Sequence, residues 1–297
     1  MFKPSQSKQI KDFFWEKGYV HVTNFDENNY KNLISETWSY YDALLNSKKN
    51  KKQKNINYSF LNSEGKPRHL INIFRDKFSP ALSIFRHSYI IFLINLLAEN
   101  KSKTYFTHSK ISLKTPGQEA KWVPHQDSGY QVLGKNNGFA IFICLENMDI
   151  KNGALKVFPY SHKYGPLPHI RKTEGNDISH GQYLIERIPD GLKEKTIEAK
   201  KGDIILFHND TIHFSGNSST NSRRYAIISE VKKYCLGDLD DYGLPPIFCS
   251  KKKRNFIFIF SCIRSLFSPL RIWWSIKKNK RLAIFIRKYF LSPLNLG

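Results

Sequence analysis

The sequence contains few cysteines. Its 297 residues include only Cys144, Cys235, Cys249 and Cys262, and no two of them have the CxxC spacing that is typical of metal-binding and redox motifs. Four cysteines are too few to stabilise a chain of this length through disulfides. We therefore expect no disulfides and a reducing compartment.

Neither end of the chain has a long apolar segment. The first residues, MFKPSQSKQIKDFF, contain no basic stretch followed by an uninterrupted apolar run, which argues against a secretory signal. Near the C-terminus no uncharged run is longer than that of 255–263, whereas a membrane span requires about 20 apolar residues. The sequence therefore predicts a cytoplasmic protein whose C-terminal region does not span a membrane.

Acidic residues are scarce, and residues 251–297 contain none. The chain has 47 Lys and Arg against 25 Asp and Glu, a formal net charge of +22. Such an excess usually indicates an anionic partner, which can be nucleic acid, anionic lipid or an acidic substrate. We do not expect a nucleic-acid partner, because the sequence contains no recognised nucleic-acid-binding motif besides the positive charge. The basic balance of the first 250 residues favours an anionic substrate.

The basic and aromatic region 246–297 follows a proline pair, where we place a domain boundary. In 280–290, apolar residues fall on one helical face and basic residues on the other, which is the pattern of a helix at an anionic membrane surface. The apolar residues of that face are Leu282, Phe285, Ile286 and Tyr289. We predict a helical tail bound peripherally to the inner face of a membrane, and packing on the preceding domain is the alternative.

The remaining chain, 1–245, is predicted to be one domain whose local pattern changes near residue 103. Before that point, SQSKQIKDFFWEKGY, NNYKNLISETWSYYDALLN and SPALSIFRHSYIIFLINLLAEN have apolar residues at helical spacing, with Ser5 or Ser7 capping the first. GYVHVTNF predicts one short strand. From 103 to about 235, β-prone runs such as GFAIFICL and DIILFH alternate with turn sequences. We predict a mainly β fold with N-terminal helices and a jelly-roll core.

The segment WVPHQDSGY places His125 and Asp127 two positions apart. In a strand these side chains would lie on the same face, with Gln126 facing away. A metal site needs a third ligand, and the downstream candidates are His162, His169, His180, His208 and His213. We favour His213 because it begins the segment that leads through a Gly/Ser/Asn loop into RRYAIISEV, whereas His208 ends the preceding strand.

Two imidazoles and one carboxylate form the facial triad of non-haem iron(II) oxygenases, which leaves three coordination positions open. Arg224, eleven residues after His213, is suited to bind a dicarboxylate through a bidentate guanidinium. Ser215 could add a hydroxyl donor on the same face as His213. Arg223 points to the opposite face of a strand, so we favour Arg224 as the anchor.

The sequence resembles a known family across PGQEAKWVPHQDSGY, KNGALKVFPYSHKYG and GDIILFHNDTIHFSGNSSTNSRR. It is similar to the phytanoyl-CoA dioxygenase family of Fe(II)- and 2-oxoglutarate-dependent oxygenases over about residues 5–235. The resemblance implies a double-stranded β-helix of the cupin type, with iron on His125, Asp127 and His213. It also implies that Arg224 and Ser215 bind 2-oxoglutarate. Phe142 falls where relatives often have a tryptophan that lines the co-substrate pocket.

The implied reaction uses O2 to hydroxylate an unactivated C–H bond of a small or lipid-linked substrate, while 2-oxoglutarate is decarboxylated to succinate and CO2. Related halogenases lack the carboxylate ligand, so Asp127 favours hydroxylation. The chain departs from the family at Phe214, where glycine is common, and at Tyr160, within the stretch that corresponds to PGSH. The alternative function is a non-catalytic jelly-roll binding module at an anionic membrane surface.

Overall fold

A computed structural model describes residues 2–3, 5–23, 28–46, 57–60, 67–71, 73–75, 80–98, 104–116, 121–130, 138–171, 183–221 and 223–233. The chain divides into two compact units, of which the first comprises 1–99 and 108–232 and the second 100–107 and 233–297. The predicted tail, 246–297, lies outside the described residues, so its boundary and its membrane contact stay predictions. Among the described helices, none has the length and apolarity to cross a membrane.

The described residues form four α-helices and thirteen β-strands. The helices are α1 (Ser7–Lys17), α2 (Asn28–Asn46), α3 (Ala81–Arg86) and α4 (Ser88–Leu97). The strands are β1 (Tyr19–Val22), β2 (Asn57–Phe60), β3 (Pro67–Ile71), β4 (Thr104–Lys114), β5 (Trp122–His125), β6 (Phe139–Cys144), β7 (Leu155–Val157), β8 (His169–Arg171), β9 (Tyr183–Ile185), β10 (Lys195–Ile197), β11 (Ile204–His208), β12 (His213–Ser215) and β13 (Arg224–Lys233).

The strands form two main sheets whose order differs from the chain order. The larger sheet has the order β1-β11-β6-β13-β4-β3-β2, and the smaller one has the order β10-β7-β12-β5. Neighbouring strands such as β11 and β6, or β12 and β7, pair in an antiparallel manner. Strands β8 and β9 form a separate hairpin. This architecture confirms the predicted mainly β jelly roll with N-terminal helices.

Strand β6 shows why a continuous apolar run forms a strand here. All six residues of FAIFIC are buried, because the larger sheet is covered on both faces. Phe142 and Cys144 belong to the core between the two sheets, together with Val157 of the smaller sheet. Alternate residues point the other way, and Phe139 packs against Phe14 of α1 with ring centres 5.8 Å apart.

Some local details differ from the sequence predictions. Helix α1 has Gln6 rather than a serine at its N-cap, without a side-chain capping bond. The third predicted helical segment is broken into α3 and α4 at His87, whose backbone is extended. The His87 ring accepts a hydrogen bond from the Tyr89 amide at 3.3 Å, so a histidine caps α4. Strands β2 and β3 lie in the N-terminal third, for which mostly helices are predicted.

Candidate metal centre

His125 and His213 lie on neighbouring strands of the smaller sheet. Strand β5 ends at His125, strand β12 begins at His213, and the two residues are directly opposite each other. Opposed residues of an antiparallel pair project from the same face. The two imidazole rings consequently meet, with their centres 4.2 Å apart.

Asp127 reaches the same point from a short 3-10 helix, Asp127–Tyr130. The prediction that one strand carries both His125 and Asp127 is therefore wrong in its local geometry, because the chain leaves the sheet after His125. The turn still directs the carboxylate inward, and Asp127 Oδ1 lies 3.6 Å from Nε2 of His213. One ligand atom from each of the three residues lies within 4.8 Å of the others.

Backbone carbonyls fix the tautomer and orientation of both imidazoles. His125 Nδ1 donates to the carbonyl oxygen of Val123 at 2.7 Å, and His213 Nδ1 donates to that of Thr211 at 2.9 Å. A carbonyl can only accept, so the proton sits on Nδ1 and the Nε2 lone pair is left for a metal. Burial, assisted by the adjacent His213, lowers the pKa of His125 to about 3. Two neutral nitrogens and a carboxylate fit a ferrous ion.

Gln126 lies between the two candidate ligands His125 and Asp127, and its hydrogen bonds fix the surrounding loops. Its side chain is completely buried and donates to the carbonyls of Gly165 and Asp210, while it accepts from the amide of Leu167. His169, a candidate third ligand, instead accepts a hydrogen bond from the Gln126 amide at 3.1 Å. These hydrogen bonds hold the loop that carries Asp127. No pattern of residue spacing in the sequence predicts them.

The other histidine candidates lie elsewhere. His208 accepts from the Asp210 amide at 3.1 Å, and its ring lies 5.6 Å from that of His162. His162 donates to the carbonyl of Trp15 at 3.0 Å and so connects its loop to α1. His180 lies outside the described residues. Within the part of the chain that the structure describes, the side chains that could hold a metal are those of His125, Asp127 and His213.

Arg223, which immediately precedes β13, and Arg224, which begins it, have different surroundings. Arg223 forms an ion pair with Asp42 of α2, whereas the Arg224 side chain is buried, with 1% of its surface exposed. Its Nε and Nη2 atoms donate to the Gly153 carbonyl at 3.1 and 2.9 Å, and Nη1 donates to Ser112 Oγ at 3.3 Å. Burial lowers the pKa of Arg224 to about 10, so the guanidinium is still charged at neutral pH.

One cavity connects the three candidate metal ligands with Arg224. It contains about 450 Å³ of space between its lining atoms, part of which is open to solvent. Ser215 and Phe142 also line this cavity, and the Arg224 guanidinium lies 5.5 Å from the centre of the Phe142 ring. All six residues predicted from the sequence for metal and co-substrate therefore border the same space.

Comparison with known proteins gives a family match over most of the chain. The model for phytanoyl-CoA dioxygenase (PhyH) matches residues 14–226. The chain belongs to the phytanoyl-CoA dioxygenase family. Membership confirms the resemblance in the sequence and the expected enzyme class, an oxygenase that depends on iron and 2-oxoglutarate.

Relatives in this family come from plants and animals. A phytanoyl-CoA dioxygenase of Arabidopsis thaliana is 26% identical over 246 residues, which cover 72% of this chain and 84% of that protein. The peroxisomal phytanoyl-CoA dioxygenase of Rattus norvegicus is 36% identical over 111 residues, which cover 35% of this chain and 31% of the rat protein. The first of these alignments shows that the similarity extends beyond the site segments.

Solved structures with low identity share the fold. The epimerase SnoN, determined with Fe3+, alpha ketoglutarate and nogalamycin RO, has a TM-score of 0.58 at 16% identity over 84% of this chain and 93% of SnoN. EvdO2 from Micromonospora carbonacea var. aurantiaca, complexed with 2-oxoglutarate, has a TM-score of 0.60 at 17% identity over 76% of this chain and 90% of EvdO2. These similarities confirm the jelly-roll fold.

Proposed function

We propose that this family member hydroxylates an unactivated C–H bond of a small or lipid-linked molecule and couples the reaction to the decarboxylation of 2-oxoglutarate to succinate and CO2. The main support is the convergence of His125, Asp127 and His213, whose ligand atoms lie within 4.8 Å of one another. These three residues and Arg224 line the same cavity. The substrate class agrees with relatives named as phytanoyl-CoA dioxygenases and with the nogalamycin RO bound to SnoN.

The three side chains would hold iron(II) through two imidazole nitrogens and one carboxylate oxygen. When bound, the iron supplies the activation of O2 that oxidises both 2-oxoglutarate and substrate. Asp127 offsets one positive charge of the ion. Its carboxylate would fill the position that related halogenases leave for chloride, so we assign hydroxylation rather than halogenation.

Arg224 would bind the C5 carboxylate of 2-oxoglutarate. A guanidinium has five N–H groups, and three of them already donate to Gly153 and Ser112. The two that remain are on the two terminal nitrogens, a geometry that matches the two oxygens of a carboxylate. Ser215 would donate from β12 of the smaller sheet, on the cavity wall, and Phe142 would restrict access by water.

The proposal is tested by replacing Asp127 with alanine. Wild-type protein supplied with Fe(II), ascorbate and 2-oxoglutarate should release succinate even without a substrate, because these oxygenases turn over slowly when uncoupled. Asp127→Ala removes the anionic ligand and should lower the rate at least tenfold and weaken Mn(II) binding in calorimetry. The matched control is Asp190→Ala, since Asp190 is exposed and forms a surface ion pair with Arg187.

Unchanged succinate release in Asp127→Ala, with Asp190→Ala also unchanged, would contradict the ligand assignment. A wild-type protein that binds Mn(II) and 2-oxoglutarate but never forms succinate would support the alternative, a binding module without catalysis.

A further inference from the structure

Lys110 points into the cavity from the wall that also supports Arg224. It lies two residues before Ser112 on β4, so both side chains project from the same face, and Ser112 accepts a hydrogen bond from Arg224. Both residues line the cavity. Among the described residues, Lys110 has no ion pair, and its ammonium lies 5.8 Å from the centre of the Trp122 ring.

Trp122 lies beside both Lys110 and His125 in the cavity wall. Its ring centre is 5.8 Å from that of His125, and the His69 ring packs against it at 5.0 Å with an angle of 32° between the planes. The guanidinium of Arg68 lies 4.0 Å from the same indole ring. The indole is therefore held in place, and the ammonium of Lys110 lies beside a flat apolar surface.

Among the described residues that line the cavity, positive charges would exceed negative ones once iron(II) and 2-oxoglutarate are bound. Iron(II), Arg224 and Lys110 together would carry four positive charges, whereas 2-oxoglutarate and Asp127 would carry three negative charges. The histidine ligands bind metal in their neutral form. Asp127 is the one acidic residue among the described residues that line the cavity. This surplus of one positive charge favours a substrate that brings one further negative charge.

We infer that the substrate of the proposed oxygenase carries a carboxylate or phosphate group and that Lys110 binds this group. The inference rests on the proposed function, because it places the substrate beside iron and 2-oxoglutarate. Both groups present oxygen atoms to an ammonium that has three donors. The part of the substrate next to the anionic group would pack on Trp122 and His69.

The test uses the full chain loaded with Mn(II) and 2-oxoglutarate, with benzoate, phenyl phosphate and neutral benzamide as probes. Mn(II) broadens the proton resonances of molecules bound close to it, so NMR line widths report binding within the cavity. Benzoate or phenyl phosphate should bind at least tenfold more tightly than benzamide. Lys110→Met, similar in size but uncharged, should reduce this preference to less than twofold, and Lys110→Arg should retain most of it.

Three results would overturn the inference. The first is equal or absent broadening for all probes in wild type. The second is a preference that persists in Lys110→Met. The third is a Kd for 2-oxoglutarate that rises tenfold in Lys110→Met, since Lys110 would then serve the co-substrate. A wild-type protein that fails to bind Mn(II) or 2-oxoglutarate would remove the proposed function itself, which calorimetry with these two ligands determines separately.

Discussion

At the scale of single residues, Arg223 and Arg224 show how neighbouring identical side chains acquire different environments. Arg223 lies just before β13 and pairs with Asp42 near the surface. Arg224 begins β13 and donates to the carbonyl of Gly153 in the interior. An ion pair near solvent contributes little to binding or stability. Three N–H groups of the buried Arg224 guanidinium donate to Gly153 and Ser112, and we propose that the other two bind a carboxylate.

We predict that Arg224→Gln weakens 2-oxoglutarate binding by about tenfold to a hundredfold, the effect of losing a charge-assisted bidentate contact. The same substitution at Arg223 should change the Kd by less than twofold. Titration calorimetry with 2-oxoglutarate and the Mn(II)-loaded protein measures both variants. Equal losses in the two variants would show that charge near β13, rather than direct contact by Arg224, determines the affinity.

Sequence patterns could predict some residues of the site and not others. The HxD spacing, the later histidine and the arginine eleven residues beyond it have specific separations, and the structure brings all of them to one cavity. Gln126 and Lys110 have no such signal. Gln126 interacts with the loop at 165–167 and with Asp210, and Lys110 reaches the metal centre because of sheet pairing, which the sequence alone does not define.

At the scale of elements, the turn between α1 and β1 joins the helices to the jelly roll. Gly18 has a φ of +82°, a left-handed conformation that glycine adopts easily. Its carbonyl accepts from the His208 amide at 2.8 Å and from Thr211 Oγ1 at 2.6 Å. The turn is therefore bonded to the segment that leads into His213.

We predict that Gly18→Ala lowers the free energy of unfolding by about 2–4 kcal/mol, which combines left-handed strain with overpacking. An added Cβ would lie 2.4 Å from Nδ1 of His162 and 2.6 Å from Thr211 Oγ1. Gly191 has the same φ of +82° but open space around it, so Gly191→Ala should cost only about 1 kcal/mol. Urea unfolding measures both values, and equal losses would show that backbone strain alone is responsible.

Element boundaries were predictable where the local pattern is strong. The run FAIFIC has no alternation, and its burial on both faces agrees with a central strand. Strands β5 and β12 have only four and three residues, too few for a period to be visible. Their existence depends on pairing with each other and with β7, which is long-range information.

At the scale of the whole molecule, two half-buried histidines connect stability to pH. Burial lowers the pKa of His162 and of His208, and their rings lie 5.6 Å apart. The unfolded chain therefore binds protons more readily than the folded one. The stability contributed by these neutral rings is complete above about pH 6.5 and decreases as the pH falls below that value.

We predict that the free energy of unfolding of the metal-free protein, measured with urea in the presence of a chelator, decreases between pH 7 and pH 5. The double variant His162→Gln, His208→Gln should show a shallower decrease, because glutamine does not titrate. Parallel pH curves for wild type and the double variant would show that other groups cause the acid sensitivity.

The metal centre has a further consequence for how the chain assembles. Strand β5 is at the edge of the smaller sheet, next to β12, and an edge strand has a neighbour on one side only. Sliding β5 by a single residue would turn His125 to the opposite face and separate it from His213. A bound ion would therefore stabilise the correct register of these two strands, because a chain with shifted strands could not bind it.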